Sequence, residues 1–491
     1  MNKRKSLSRN VAGFVLATLF SLTAAASPTG GIKLRTIGGC VSAQGTPLAG
    51  VAVTDGSNIV LTDSQGCYSL ATMPDTRFVY ISTPSGYDVP LSQGSIPLFY
   101  HSLTPSDSIY DFHLTPSASQ DSKHAFVVHT DVQVTSKSDV DQFAKQIVPD
   151  TKQTLQRLSE QGYKVFATDC GDIVGDTPSL FDSYINACKV LNTPFFRIIG
   201  NHDMDYWGRS FETSYRTFNR LFGPTHYSMN CGEAHYIFIN DNFYTGFGIN
   251  YIGYIPENTL RWIEQDLSML PKGALVFVFM HIPSAESTDL DHASFNYDWL
   301  ANVRQFHHMF KDFNTHIISG HTHFNANLEF NSRLYEHITA AVCGTWWRTE
   351  ECMDGTPRGY GVYMVDGNRV SWLYKSAGYP DDYQLRAYPP GCASEYPLEV
   401  VANVWNYDSR WRVELLEDGK PTATMKQYTG FDPVSHAHCS DKKVVLYDWI
   451  SPITNPHMFH ARPKNPAAKL QVRATDRFGN VFIADVQSPK L

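Results

Sequence analysis

The sequence predicts a layered α/β domain flanked by two small all-β sandwich domains. Between residues 124 and 370, short apolar strands alternate with stretches of helical periodicity, which is typical of layered α/β folds. On either side of this region the helical patterns vanish, and short alternating runs are separated by turn signals. The length of 491 residues is too great for one typical domain and agrees with about three.

The first 26 residues are predicted to be a signal peptide. Basic residues precede the apolar run 11–22, which is too short for a comfortable membrane span, and residues 24–27 fit a small-residue cleavage site. An uncleaved anchor is the alternative. We expect an exported protein, in the periplasm or at the cell surface, without a transmembrane span once the signal is removed.

Charge and cysteine content bear on two further properties, nucleic-acid binding and disulfide formation. The formal net charge is −8, and no run of Lys and Arg follows the first ten residues, so the chain lacks a nucleic-acid footprint. Nine cysteines in an exported chain allow disulfides, and the odd number leaves at least one thiol free. Three pairs lie within single regions and could form: Cys40 with Cys67, Cys343 with Cys352, and Cys392 with Cys439.

The N-terminal β-sandwich is predicted over residues 32–117, with strands at 51–54, 59–62 and 78–82. In the α/β domain, 124–370, strands are predicted at 125–129, 164–168, 195–199, 236–239, 275–280, 316–319, 334–342 and 361–365. Helices are predicted there at 140–158, 180–190, 260–270 and 299–313. The C-terminal β-sandwich, 371–491, has alternating runs at 398–404, 411–416, 470–475 and 481–486.

Polar side chains follow five of the α/β strands at the point where each strand ends. They are Asp131 and Gln133, Asp172, Asn201 and His202, His281, and His321 and His323. Because strand C-termini of such a sheet converge on one edge, these side chains can meet. Carboxylate, amide and imidazole donors without a thiolate suit two divalent first-row ions such as Mn, Fe or Zn. Taken singly, each Asp could be a turn or helix cap, and His281 a buried core histidine.

The ordered motifs resemble those of the calcineurin-like metallophosphoesterases. The resemblance lies in Asp131-x-Gln133, Gly171-Asp172, Gly200-Asn201-His202-Asp203, His281 and Gly320-His321-Thr322-His323. The flanking regions look like the N- and C-terminal modules of an exported bacterial subgroup. The resemblance implies a four-layer αββα core and hydrolysis of a phosphate mono- or diester through a metal-bridging hydroxide.

The resemblance also implies a role for each motif residue. One metal would take Asp131, Gln133, Asp172 and His323; the other would take Asp172, Asn201, His281 and His321. His202 would protonate the leaving oxygen rather than bind metal, and Asp176 is a plausible partner behind the ligands. The first motif more commonly ends in His, so Gln133 implies a looser first site.

Candidate substrate residues follow the Asn-His turn and the last core strand. They are Tyr206, Trp207, Arg209, Trp346, Trp347 and Arg348. Arg can pair with phosphate and aromatic rings can floor a pocket, so a nucleotide, lipid or sugar phosphate is the expected substrate. Alternatively, the Trp residues pack a domain interface. The competing function is a non-catalytic cell-envelope binding protein whose β domains contact a glycan or a protein.

Overall fold

Two β-sheets face each other at the centre of the structure, a computed structural model that describes residues 34–292, 295–445 and 447–489. The predicted signal peptide lies outside the described residues. The first sheet has five strands, in the order Phe195–Arg197, Lys164–Asp169, Lys123–His129, Gly359–Asp366 and Arg369–Ser376. The second has six, in the order Tyr227–Cys231, Ala234–Phe238, Leu275–Phe279, Asn314–Ser319, Leu334–Ile338 and Ala326–Asn331.

The strand Lys123–His129 shows why the core is layered. Its side chains alternate between two faces, and both faces are buried. Phe126 points between the sheets, where its ring lies 5.2 Å from that of Phe277. Its neighbour Val127 belongs to the cluster that packs the other face of the first sheet against helices. The result is the predicted four-layer αββα arrangement, because helices also cover the outer face of the second sheet.

The α-helices of the core are Lys137–Gln142, Val148–Glu160, Phe181–Cys188, Arg216–Phe222, Glu257–Ser268 and Val303–Met309. A π-helical turn, Phe143–Ile147, joins the first two. The helix predicted at 299–313 is much shorter than expected. Leu300 instead forms a β-bridge with Gly253, and residues 301–302 form a turn before the helix begins. There Ala301 N donates to Gly253 O, and the side-chain amide of Asn302 donates to Ile255 O. None of the described helices is long and apolar enough to cross a membrane.

The N-terminal module is all-β, as predicted. Its main strands are Arg35–Ala43, Ala52–Thr54, Ile59–Leu61, Cys67–Thr72, Phe78–Ile81, Tyr100–Ser102 and Phe112–Pro116. Shorter strands are Thr46–Pro47, Tyr87–Asp88, Leu91–Ser92 and Ile96–Pro97. A disulfide joins Cys40 and Cys67, which face each other on paired strands.

The other two possible disulfides do not form in the described part of the chain, where the seven remaining cysteines are free thiols. The Cys343 and Cys352 thiols instead lie 3.4 and 3.5 Å from backbone carbonyl oxygens. Cys392 and Cys439 pack in different hydrophobic clusters, so their side chains do not meet.

The C-terminal module contains two four-stranded sheets. One is formed by Arg386–Tyr388, Val400–Asn403, Asn455–Ala461 and Lys426–Gly430, the other by Lys420–Thr424, Arg412–Glu417, Leu470–Thr475 and Val481–Asp485. The strand Arg369–Ser376 belongs to the core sheet, so the predicted boundary at 370/371 divides a strand. Two unexpected helices, Pro433–Ser440 and Lys442–Val445, also occur. Asp432 caps the first by accepting from Val434 N and Ser435 N.

Candidate metal centre

The structure brings all five predicted strand-end groups to one edge of the paired sheets. The first sheet carries the turns with Asp131, Asp172 and Asn201, and the second carries those with His281 and His321. The turns support one another: Asp131 N donates to Gly171 O at 3.0 Å, and Gln133 N donates to Asp172 O at 2.8 Å. This close packing places side chains from distant parts of the chain within hydrogen-bond distance.

Five of the predicted ligands adopt left-handed backbone conformations, which non-glycine residues rarely do. Their φ angles are 54° for Asp131, 38° for Gln133, 54° for Asp172, 67° for His321 and 58° for His323. Such strain persists only where the surroundings enforce it, and it clusters at functional sites.

Two glycines let these turns approach one another. A Cβ atom on Gly200 would overlap the backbone nitrogen of Asp172, and one on Gly320 would overlap Thr130 Oγ1. The motif glycines are therefore required by close backbone contact.

Asp172 lies at the centre of the donor groups. Its Oδ2 accepts from Gln133 Nε2 at 3.0 Å and lies 3.3 Å from His281 Nε2. Asn201 Oδ1 and His321 Nδ1 approach the same His281 nitrogen, at 3.0 and 3.2 Å. Donor atoms of Asp172, His281 and His321 all lie within 4.8 Å of one another, a spacing that one cation could share.

A second pair of predicted ligands, Asp131 and His323, adjoins this cluster. Asp131 Oδ1 lies 3.3 Å from His323 Nε2, yet this buried oxygen has no hydrogen-bond donor among the described residues. Burial favours a raised pKa for Asp131, but the charge of His323 outweighs it and holds the pKa below its usual range. The pKa of Asp172 is lowered in the same way, because the His281 and His202 imidazoles outweigh burial. A buried, ionised carboxylate with an unsatisfied oxygen fits a cation.

Gln133 differs from the expectation in one respect. Its amide nitrogen, rather than its oxygen, faces Asp172. The amide would need a half-turn to present an oxygen donor to a cation.

Two buried carboxyl groups hold the ligand turns from behind. Asp203 accepts from Gly200 N, Ile173 N and Val174 N, and burial raises its pKa to about 8. Asp241 accepts from the backbone nitrogen of His281 at 3.2 Å. Sequence reasoning missed Asp241, although it follows the strand Ala234–Phe238 just as the predicted ligands follow theirs.

His202 stands at the mouth of the centre. Its backbone nitrogen donates to Asp172 Oδ1 at 2.8 Å, and its Nδ1 lies 2.9 Å from Asp176 Oδ1. The other ring nitrogen, Nε2, lies 4.0 Å from Asp172 Oδ2, and the side chain is about one third exposed. Burial lowers the pKa of His202, but Asp172 and Asp176 outweigh it and raise the pKa to about 9. The two carboxylates thus favour the protonated form of this imidazole.

Of the predicted substrate residues, two support the ligand turns, one stacks on a predicted ligand and three are exposed. The prediction for Trp347 is wrong: this residue is buried, and its indole nitrogen donates to Val132 O at 2.9 Å, so it packs beneath the first ligand turn. Tyr206 supports the second turn by donating to Asn201 O at 2.6 Å. The Trp346 ring stacks on His323 with a centroid distance of 4.4 Å. Trp207 and Arg209 are exposed.

Arg348 is exposed too, with its guanidinium 5.5 Å from the Tyr447 ring. Two residues beside the centre were not foreseen: Asp298 Oδ1 lies 3.6 Å from His321 Nε2, and the Tyr251 ring lies 6.0 Å from the His321 ring. Both lie outside the strand-end pattern, so no sequence signal marked them.

Family comparisons cover most of the chain. Residues 124–325 match the family model for calcineurin-like phosphoesterase. Residues 35–117 and 336–482 match the models for the N-terminal and C-terminal parts of the same family. The chain belongs to the calcineurin-like phosphoesterases. This phosphoesterase is therefore a metal-dependent phosphoric ester hydrolase, and divalent metal ions are its cofactors.

Solved structures similar to the phosphoesterase include a dimetal phosphatase from Danio rerio, with 11% identity over 52% of this chain and 96% of that one and a TM-score of 0.38. The purple acid phosphatase PPD1 of Lupinus luteus shares 11% identity over 67% of each chain, with a TM-score of 0.37. A 5'-nucleotidase from Candida albicans shares 14% identity over 52% and 51%, with a TM-score of 0.32. Similarities this small carry no argument about the reaction. Among curated proteins there is no match to the phosphoesterase.

Proposed function

We propose that this phosphoesterase is an exported, dinuclear enzyme that hydrolyses a small phosphate ester. The observation that carries the proposal is the buried Asp172 carboxylate, which lies between the group of Asn201, His281 and His321 and the side chain of Gln133. The unsatisfied oxygen of Asp131 supports a second cation beside the first. Export is supported by the N-terminal sequence pattern and by the Cys40–Cys67 disulfide.

The predicted ligands then divide between two metal sites. One site would be formed by Asp131, Gln133, Asp172 and His323, and the other by Asp172, Asn201, His281 and His321, with Asp172 shared. When bound, two divalent cations offset phosphoryl charge and lower the pKa of a water molecule.

The remaining steps belong to the side chains of the chain itself. His281 donates its Nδ1 proton to Cys170 O at 2.8 Å, so that Nε2 is the nitrogen that would bind a cation. Asp176 accepts from Nδ1 of His202, so that the Nε2 proton of the same ring is available at the mouth of the centre. This proton can pass to the leaving oxygen as the phosphorus–oxygen bond breaks.

The non-catalytic alternative leaves His202 unexplained. A binding protein needs no imidazole held by Asp176 beside the donor cluster. The family assignment likewise supports an enzyme.

The test compares metal content and turnover in one preparation. The chain from residue 27 onward is loaded with manganese and assayed on an aryl phosphomonoester and an aryl phosphodiester. We expect about two metal ions per chain and turnover of one ester class. Asp172→Asn should lose both, whereas Asp75→Asn, in an exposed turn of the N-terminal module, should lose neither. One metal ion per chain with full activity would refute the dinuclear proposal, and absence of metal would refute the whole site assignment.

A further inference from the structure

The most exposed aromatic side chains lie on segments that lead to the metal centre. Among the described residues, the aromatic side chains that are more than half exposed are Trp207, Phe247, Phe295, Tyr297 and Trp449. Ile249 is exposed to a similar degree. We call these six residues the apolar rim. They come from four stretches of the chain, two of which contact each other, so the rim has three segments. Each segment leads to a predicted metal ligand.

The first segment consists of Trp207, which follows the Asn201–His202 turn, and the hairpin formed by strands Asn242–Tyr244 and Tyr251–Gly253. The Tyr244 hydroxyl accepts from the backbone nitrogen of Trp207 at 3.1 Å and donates to Gly248 O at 2.9 Å. Phe247 and Ile249 lie at the tip of this hairpin. At its base, the Tyr251 ring lies 6.0 Å from the His321 ring.

The second segment carries Phe295 and Tyr297, whose ring centroids are 5.9 Å apart. The next residue, Asp298, approaches His321 Nε2 at 3.6 Å. These two aromatic side chains therefore lie beside the second group of ligands.

The third segment belongs to the C-terminal module. The exposed Trp449 ring packs edge-on against Trp346 at 4.4 Å, and Trp346 stacks on His323 at the same centroid distance. Aromatic rings thus continue without a break from a ligand imidazole to solvent.

Exposing these six apolar side chains to water is unfavourable, and the stability of the fold does not require it. Large apolar side chains exposed together on a monomer mark a binding surface. Trp207 also has a left-handed backbone, with φ of 64°, and its indole is 80% exposed. Strain in a residue that buries almost nothing is typical of a side chain placed for a ligand.

We infer that the apolar rim binds the alkyl or acyl chain of a phosphoester while the phosphate occupies the metal centre, an inference that rests on the proposed function. The arrangement of the rings favours a chain over a nucleobase. Phe295 and Tyr297 meet at 66°, and Trp346 and Trp449 at 88°, so neither pair forms a slot between parallel rings. A flexible chain can follow edges and faces alike, and its burial is non-directional.

The experiment measures binding separately from turnover. Ethyl-, butyl- and octylphosphonic acid, which are not hydrolysed, are titrated calorimetrically below their micellar concentrations into the manganese-loaded enzyme. The dissociation constant should fall with chain length, by up to about fourfold per added CH₂ where the group is fully buried. Trp207→Ser/Phe247→Ser should flatten this dependence. Leu398→Ser, an exposed apolar residue of the C-terminal module, should leave it unchanged.

Two further measurements distinguish failure of the rim inference from failure of the proposed function. Equal affinity for ethyl- and octylphosphonic acid would overturn the inference, whether or not the enzyme turns over. Release of phosphate from ethyl phosphate tests the proposed function without the rim. If the rim variant instead weakened binding of AMP and left octylphosphonic acid unaffected, the rim would bind a nucleobase and the inference would be wrong.

Discussion

The Nδ1 atom of His202 lies 2.9 Å from Oδ1 of Asp176, on the side of the ring away from Asp172. This contact directs the other ring nitrogen toward the donor cluster. It also distinguishes His202 from the neighbouring histidines, which face one another or buried carboxylates directly.

Replacing His202 should separate metal binding from proton transfer. For His202→Ala we expect an unchanged metal content and a loss of about 10²–10⁴-fold in kcat on an alkyl phosphate ester, because general acids typically contribute that much. The loss on a p-nitrophenyl ester should be far smaller, since that leaving group needs no proton. Asp176→Asn should show the same pattern in weaker form. Equal losses on both esters would argue against a general-acid role.

Gln133→His should tighten one of the two metal sites. An imidazole nitrogen is a stronger donor than an amide oxygen, and the present amide is turned with its nitrogen toward Asp172. We expect manganese titration to show a lower dissociation constant for the weaker site only. Gln153→His, on an exposed helix face, serves as the control. No change in either dissociation constant would remove Gln133 from the ligand set.

Glu336 should make stability depend on pH. Burial raises its pKa from 4.5 to about 7, although Ser284 and Ser319 donate to the carboxyl group. The folded state therefore binds this proton more tightly than the unfolded state does. The contribution is fully present below about pH 4.5 and is lost as the pH rises through about 7.

The full change corresponds to about 3 kcal/mol, since one pKa unit is about 1.4 kcal/mol. Glu336→Gln keeps the acceptor oxygen and cannot ionise. Urea unfolding at pH 5 and pH 8 should show the wild type losing stability relative to this variant at the higher pH. A difference between the two proteins that is the same at both pH values would contradict the prediction.

The Cys40–Cys67 disulfide should stabilise the N-terminal module. It closes a loop with a sequence separation of 27 residues, for which the chain-entropy model gives roughly 3–4 kcal/mol. Cys40→Ala/Cys67→Ala should unfold this module at a lower urea concentration, as followed by limited proteolysis. In the unreduced, denatured protein, thiol titration should find seven reactive groups; five or three would indicate further disulfides.

The sequence allowed the strands and their polar ends to be predicted because both signals are local. A buried strand appears in the sequence as an apolar run. The residue after it is then identified by its position alone, as with Asp172 and His281. The short helix Val303–Met309 could not be foreseen, because Ala301 and Asn302 donate hydrogen bonds to the distant carbonyl oxygens of Gly253 and Ile255. Tertiary pairing there outweighs helical periodicity.

The surroundings of the site depend on tertiary contacts that produce no periodic pattern of residues in the sequence. Trp346 and Trp347 are adjacent and both have left-handed backbones, yet one stacks on a ligand and the other is buried beneath a turn. Asp298 and the apolar rim lie on loops. Their positions follow from the fold as a whole rather than from residue spacing.

The strand Lys123–His129 lies between Lys164–Asp169 on one side and Gly359–Asp366 on the other. During synthesis, its second partner leaves the ribosome only after every predicted ligand has done so. Until then the nascent chain exposes an unpaired strand edge, which is a template for aggregation. The motif-bearing stretch 124–325 therefore lacks a strand that it needs in order to fold, and we expect this stretch to aggregate when it is produced as an isolated fragment.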